Sequence, residues 1–145
     1  MTTIDDALIV ANLLNDNWNT GNVAKPAIYF DDRHISNPTA SIKSHDFRSA
    51  VIKVYVITPP IKKNVDITYS YFDVTTSIAV DMKTPDRDNY LAVRDEVNRV
   101  FESVRKTPNA NYQVLLFDAP QLVSGYAGFW HAIIKITLKH YGRAI

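Results

Sequence analysis

Between Phe72 and Met82 apolar and polar positions alternate. Phe72, Val74, Thr76, Ile78, Val80 and Met82 fall on one side, and Asp73, Thr75, Ser77, Ala79 and Asp81 on the other. Period two with one wet face predicts a half-buried strand. Lys83-Thr84-Pro85 then leads into a segment where Tyr90, Val93, Val97, Val100, Phe101 and Val104 recur along one stripe, the signature of an amphipathic helix. A strand with one apolar face, followed at once by a helix with one apolar stripe, predicts a sheet with a helix laid on it.

The rest of the chain extends this picture. Ile4, Ala7, Leu8, Ala11, Leu14 and Trp18 recur at helical spacing. They predict a helix from residue 3 to about 18, capped by Thr3, favoured by Asp5 and Asp6 at its positive end, and stopped at Asn19-Thr20-Gly21-Asn22. Ala27–Phe30 reads as a short strand after Pro26, and residues 31–47 as a polar surface loop. Ala50–Ile57 is a strand with apolar residues on both faces, which predicts a central place in the sheet. Thr58-Pro59-Pro60 should end it, leaving Ile61-Lys62-Lys63-Asn64 as a basic loop tip, and the next strand should run from near Asp66 to Met82. These two strands are expected to form an antiparallel pair.

Thr84-Pro85-Asp86 opens the long helix as a capping threonine, a proline at the first helical position and an acid. Its exposed face is expected to carry Arg87, Asp88, Arg94, Asp95, Glu96, Arg99, Glu102, Arg105 and Lys106. Asp95 with Arg99, and Glu102 with Lys106, have the four-residue spacing of helical ion pairs, each contributing about 0.3–0.5 kcal/mol. Thr107-Pro108-Asn109 ends the helix; Tyr112–Phe117 reads as a strand, residues 118–128 as a loop, and Phe129 to about Tyr141 as the last strand. In that strand Trp130, Ala132, Ile134, Ile136 and Leu138 face one way, and His131, Lys135, Thr137 and Lys139 the other. The fold class expected is α+β: an antiparallel sheet of about four to five strands with two helices packed on one face, in a single domain over residues 1–145.

Composition narrows the chemistry. The 145 residues are 46% hydrophobic and 21% charged, with a net charge of +1. Those values suit a soluble globular chain and give no strong field for nucleic acid or an acidic membrane. The chain has no cysteine, so it lacks disulfides, a thiol nucleophile and cysteine-ligated metal sites, and it suits a reducing compartment. No apolar run approaches the roughly 18 residues of a membrane span, and the start Met1-Thr2-Thr3-Ile4-Asp5-Asp6 does not read as a signal peptide. A soluble intracellular protein is expected.

Candidate catalytic sets are sparse. The four histidines (His34, His45, His131 and His140) have no metal-motif spacing and read as solvated or locally hydrogen-bonded. Ser44-His45-Asp46 are adjacent on an extended segment, so they point apart and cannot converge as a relay. With four glycines in the chain, no phosphate-cradling loop is present. Lys62-Lys63 and the Lys135/Lys139 stripe are short basic patches, with Tyr69, Tyr71 and Phe72 near the first, and a solvated strand edge accounts for them. Pro85-Asp86-Arg87-Asp88-Asn89 resembles the Pro-Asp-x-Asp-Asn signature of RusA-type Holliday-junction resolvases. That resemblance implies Asp86 and Asp88 as magnesium ligands for phosphodiester cleavage. The signature continues with a lysine where Val93 stands here, and its later paired aspartates are matched only by Asp118.

The order of elements as a whole resembles the tail-terminator and tail-completion proteins of tailed viruses. The resemblance rests on the helix Ile4–Trp18, the strand Val51–Val56 before a basic loop, the strand Phe72–Met82, the helix Arg87–Val100 and the closing strand Phe129–Leu138. It implies a virion structural protein of the head–tail junction, made in the host cytoplasm, with no catalysis and no cofactor. It also implies a homo-oligomeric ring, commonly a hexamer, stacked between the tail-tube protein and the neck or connector protein, with DNA passing through the lumen unread and no membrane partner. Under this reading Ile61, Lys62, Lys63, Tyr69 and Tyr71 reach a neighbouring ring, and Asp73, Asp81, Lys135 and Lys139 set register between subunits by opposite charge.

Overall fold

The computed structural model describes residues 6–45, 48–64, 71–106, 112–117, 121–126 and 129–143. The elements run α1 (Asp6–Asn17), β1 (Ala27–Phe30), β2 (Arg33–His34), a short 3-10 turn (Ile42–Ser44), β3 (Val51–Asn64), β4 (Tyr71–Thr84), α2 (Arg87–Lys106), β5 (Tyr112–Phe117), β6 (Gln121–Tyr126) and β7 (Phe129–Arg143). They form an α+β fold with one mixed, mostly antiparallel sheet in the order β2-β1-β3-β4-β7-β5, and β6 also pairs with β7. The five strands expected from the sequence are all present, joined by the short β2 and β6.

The alternation in the sequence fixes the layers. Thr76, Ile78, Val80 and Met82 of β4 and Ala132, Ile134, Ile136 and Leu138 of β7 are all fully buried. β4 lies between β3 and β7, antiparallel to both, and its ladder with β7 runs unbroken from Tyr71↔Arg143 to Thr84↔Trp130. Two helices cover this inner face. α1 lies over β1, β3 and β4, and α2 over β4, β7 and β5. Ala7, Val10, Ala11 and Leu14 from α1 join Tyr90, Val93, Val97, Val100 and Phe101 from α2 in one cluster with the inward sheet residues. Removing solvent from a leucine- or phenylalanine-sized side chain in such a cluster stabilises the fold by about 1.5–3 kcal/mol each.

Several expectations are corrected. β3 does not stop at Thr58-Pro59-Pro60; it continues to Asn64, so Ile61-Lys62-Lys63-Asn64 are strand rather than loop tip. β1 pairs with β3 only over Val51–Val54. The two prolines therefore fall where no strand among the described residues needs their missing N–H groups, and the register shift between Thr58 and Ile61 absorbs them. The connection from β1 to β3 is parallel, not antiparallel. β6 occupies part of the expected 118–128 loop. It and β5 lie along the same edge of β7, one after the other. The expected 31–47 loop carries β2 and the 3-10 turn, capped by Ser41, whose Oγ accepts from the Lys43 N–H at 3.2 Å.

The helix starts also differ. The cap of α2 is Asp86, not Thr84: Asp86 Oδ1 accepts from the Asn89 N–H at 2.7 Å, which places Pro85 before the cap. The α1 cap proposed at Thr3 lies outside the described residues, and α1 ends at Asn17, with the Trp18 indole N–H donating to the Val23 carbonyl at 3.0 Å. Asp6 is buried within α1, and its Oδ2 accepts from the Thr76 hydroxyl at 2.6 Å. That bond satisfies the only hydroxyl in the buried row of β4 between Thr76 and Met82, and it pins the start of α1 to the sheet.

The largest correction concerns Glu96, which is 2% exposed rather than on the solvent face. Its carboxylate accepts from the Asn19 N–H at 3.0 Å, from Asn22 Nδ2 at 2.9 Å and from Arg99 Nε at 2.6 Å. Arg99 Nη2 donates to Glu96 Oε2 at 2.8 Å and to the Asn17 carbonyl at 2.7 Å. Arg99 therefore does not pair with Asp95, whose carboxylate takes Arg94 instead at 3.0 Å, whereas the expected Glu102–Lys106 pair is present at 3.5 Å. The Glu96–Arg99 clasp joins the end of α1 and its following turn to the middle of α2.

The Arg99 hydrogen bonds dominate in holding the Glu96 carboxyl down to about 2, against the opposing effect of burial. A carboxyl depressed in the folded state stabilises the fold above its unfolded value of 4.5 and loses that contribution as pH falls toward about 2. Glu96→Gln is expected to cost about 2–3 kcal/mol at neutral pH, a figure reduced for the solvent around Arg99. Urea unfolding of both proteins across pH should show a constant difference above about pH 5 that shrinks on acidification below it.

Candidate functional site

The face of the sheet opposite the helices carries no α-helix among the described residues, and it gathers most of the polar positions singled out in the sequence. Register aligns them in rows across the strands. Tyr29, Lys53, Asp81 and Ile133 form one row; Tyr55, Ala79 and Lys135 the next; Ser77 with Thr137 and Thr75 with Lys139 follow toward the β3–β4 hairpin. Lys135 is exposed, and Lys83, His131, Thr137 and Lys139 are half-buried.

Two side-chain contacts order this face. Lys53 Nζ stands 3.1 Å from Asp32 Oδ1, linking the centre of the sheet to the segment after β1. His131 Nε2 lies 2.5 Å from Asp81 Oδ1, with the two side chains 19% and 15% exposed. Asp81 stands opposite Ile133, two residues along β7 from His131, so the contact is the diagonal one that neighbouring antiparallel strands allow. Asp73 stands opposite Tyr141, two residues along from Lys139, and so repeats the same diagonal register.

At the β1 end the 31–45 segment covers the sheet. The Tyr29 ring meets His34 and His45 edge-on at centroid distances of 5.0 and 5.9 Å, and burial pushes the Tyr29 phenol up. His34 Nδ1 accepts from the N–H groups of Ser36 and Asn37, both at 3.1 Å. These histidines hold a loop together, and no group of three or more His, Cys, Asp or Glu side chains converges on a metal-sized site among the described residues.

The other sequence-derived positions separate into distinct regions. Asp86 and Asp88 both sit at the exposed start of α2, Asp86 as its cap. Asp118, the third acid of the nuclease resemblance, lies outside the described residues, as does Tyr69. Ile61, Lys62 and Lys63 lie on β3 opposite Thr75, Val74 and Asp73, and Tyr71 opens β4. The hairpin and the charged rows are thus one continuous stretch of sheet rather than two separate features. Sequence reading missed the Asp81–His131 contact because it depends on the register between strands 50 residues apart. It missed the Glu96 clasp because charge spacing along one helix gives no sign of a distant turn. A signal was present: Glu96 directly precedes the buried Val97 and stands three residues before an arginine.

No protein-family model matches the chain, and no curated protein matches it. No helix among the described residues is long and apolar enough to cross a membrane.

The Asp81–His131 contact is expected to contribute measurably because both side chains are mostly shielded from water. A double-mutant cycle with Asp81→Asn and His131→Gln, read by thermal or urea unfolding, should give a coupling of about 0.5–2 kcal/mol. Additive single effects would show that the two groups stabilise the sheet independently.

Proposed function

We propose that this chain is a virion structural protein of the head–tail junction, a tail terminator, that acts by assembling into a homo-oligomeric ring and has no catalytic activity. The observation that carries this reading is the one-sided sheet. Both helices serve the inner face, while the β3–β4 hairpin and an ordered, charged outer face are left for contact with other molecules. On that face the polar groups pair with one another, as in Asp81–His131 and Lys53–Asp32, instead of converging on a reacting atom. Such fixed charge patterns set register and partner choice between subunits. The neighbours in this reading are the tail-tube protein and the neck or connector protein, and DNA crosses the lumen without being read.

Native mass spectrometry with negative-stain microscopy over a concentration series tests the proposal. A closed ring with a central hole is the expected result, and Ile61→Asp, on the hairpin, should weaken stacking on a neighbouring ring at least tenfold while leaving the fold intact. Magnesium-dependent cleavage of branched DNA by the purified chain, abolished in Asp88→Asn, would overturn the structural reading in favour of a junction nuclease.

A further inference from the structure

A cleft of about 400 Å³ lies at the end of the sheet where three elements begin. β1 and β3 run parallel and start side by side, with Ala27 opposite Val51. Val51 stands opposite Lys83 near the end of β4, and the chain then turns into α2, whose first turn brings Asn89 to the cleft. The segment before β1 supplies Lys25 and Pro26, and the segment before β3 supplies His45, Arg48 and Ala50. The cleft lies at the opposite end of β3 from the β3–β4 hairpin.

The lining divides by chemistry. Pro26, Ala27 and Ala50 make its apolar part, and Pro26 and Ala50 are buried. Lys25 and Arg48 bring two positive charges, and among the described residues no carboxylate lines the cleft. Lys25 Nζ donates to Asn15 Oδ1 at 2.8 Å, which uses one N–H of an ammonium that has three. An arginine carries five N–H donors in a planar fork, enough for Arg48 to hold an anion beside its other contacts. His45 stands between the Tyr29 hydroxyl at 3.5 Å and the Ser49 carbonyl at 3.4 Å, which orient its ring in the wall. The Asn89 N–H already donates to Asp86 Oδ1, so Asn89 offers the cleft its side-chain amide. Recognition here therefore falls to side chains and not to the start of α2.

We infer that this cleft binds a small organic phosphate monoester, with the phosphate on Lys25 and Arg48, the Asn89 amide donating to it, and the apolar body against Pro26, Ala27 and Ala50. Charge sets the choice of head group. A phosphate monoester carries about 1.5–2 negative charges at neutral pH, which match one ammonium and one guanidinium, whereas a carboxylate matches only one of them. Size sets the need for a body. Small-molecule pockets run from about 300 to 1,000 Å³, with apolar walls and a few placed polar groups. A cleft of about 400 Å³ has room for an organic group beyond the phosphate. Every group involved belongs to one copy of the chain, so binding does not depend on assembly.

Phenyl phosphate is the probe, with phenol and inorganic phosphate as its two parts and benzoate as its carboxylate counterpart. Isothermal titration calorimetry on the full chain at low salt should give a dissociation constant below about 1 mM for phenyl phosphate, and binding at least about tenfold weaker for each of the other three. Amide NMR signals of Lys25, Ala27, Ser49 and Asn89 should shift on binding. Lys25→Gln and Arg48→Gln should each weaken phenyl phosphate at least about tenfold, the loss of one charge-assisted contact. Lys43→Gln, at an exposed lysine of the 3-10 turn that does not line the cleft, should leave the affinity unchanged. Lys25 is exposed, so Lys25→Gln decides the matter where Arg48→Gln fails to fold. An absence of phenyl phosphate binding at about 1 mM, or an unchanged affinity in Lys25→Gln, would overturn the site. Inorganic phosphate binding as tightly as phenyl phosphate would overturn the apolar part, and benzoate binding as tightly would overturn the phosphate assignment.

Discussion

β4 and β7 pair over fourteen consecutive positions, and at each inward position of the central stretch the side chain is fully buried. That register is the constraint on which the other features depend. A slip of one residue would turn Ile78, Val80 and Met82 to water and bring Ser77 and Asp81 into the core, so the alternative is excluded by several kilocalories of apolar burial and an uncompensated buried acid. Once the ladder is set, the inner face must be covered, and the two helices cover it. The same ladder fixes the diagonal along which Asp81 meets His131 and the rows in which the lysines of β7 stand beside the hydroxyls of β4.

Polar contacts add to the shared apolar cluster in holding the helices in place. The Glu96 clasp and the Asp6–Thr76 bond act at opposite ends of α1, one on α2 and one on β4. Each places a carboxylate out of water with its partners in hydrogen-bonding range, so each is costly to break from one side only. Together they fix the position of α1 along the sheet, which apolar contacts alone leave loosely specified. On the outer face Asp81 meets His131 from strand to strand, and Lys53 reaches Asp32 in the segment after β1.

Much of the fold was legible in the sequence because the informative signals were local. Period two in Phe72–Met82, period 3.6 in Tyr90–Val104 and the alternation after Phe129 predicted β4, α2 and β7 and, with the exception of Glu96, the inward faces of Thr76–Met82, Tyr90–Phe101 and Ala132–Leu138. What escaped was decided by neighbours distant in the chain. Pro59-Pro60 reads as a stop until it is known that β1 ends at Phe30 and leaves that edge free of a partner. β6 has no alternating pattern of its own and exists because β7 offers it an edge. Glu96 looks like one more solvent-facing charge until the turn at Asn19–Asn22 is brought beside it. The candidate surface was legible as a set of polar positions on two strands, but their grouping into rows and diagonals belongs to the register.

The place of β7 in the order of synthesis has a consequence for how the chain reaches this state. β4, β5 and β6 all pair with β7 and all precede it, and the β4–β7 partners are 46 residues apart at Thr84↔Trp130 and 72 apart at Tyr71↔Arg143. On a ribosome adding about 5–20 residues per second, β4 waits several seconds with one whole edge unfilled. α2 can form meanwhile from local contacts, but it has only part of its sheet to rest on. Nascent chains on one message would then offer one another the edges that β7 later closes, so crowded translation is a condition that exposes this protein to misassembly.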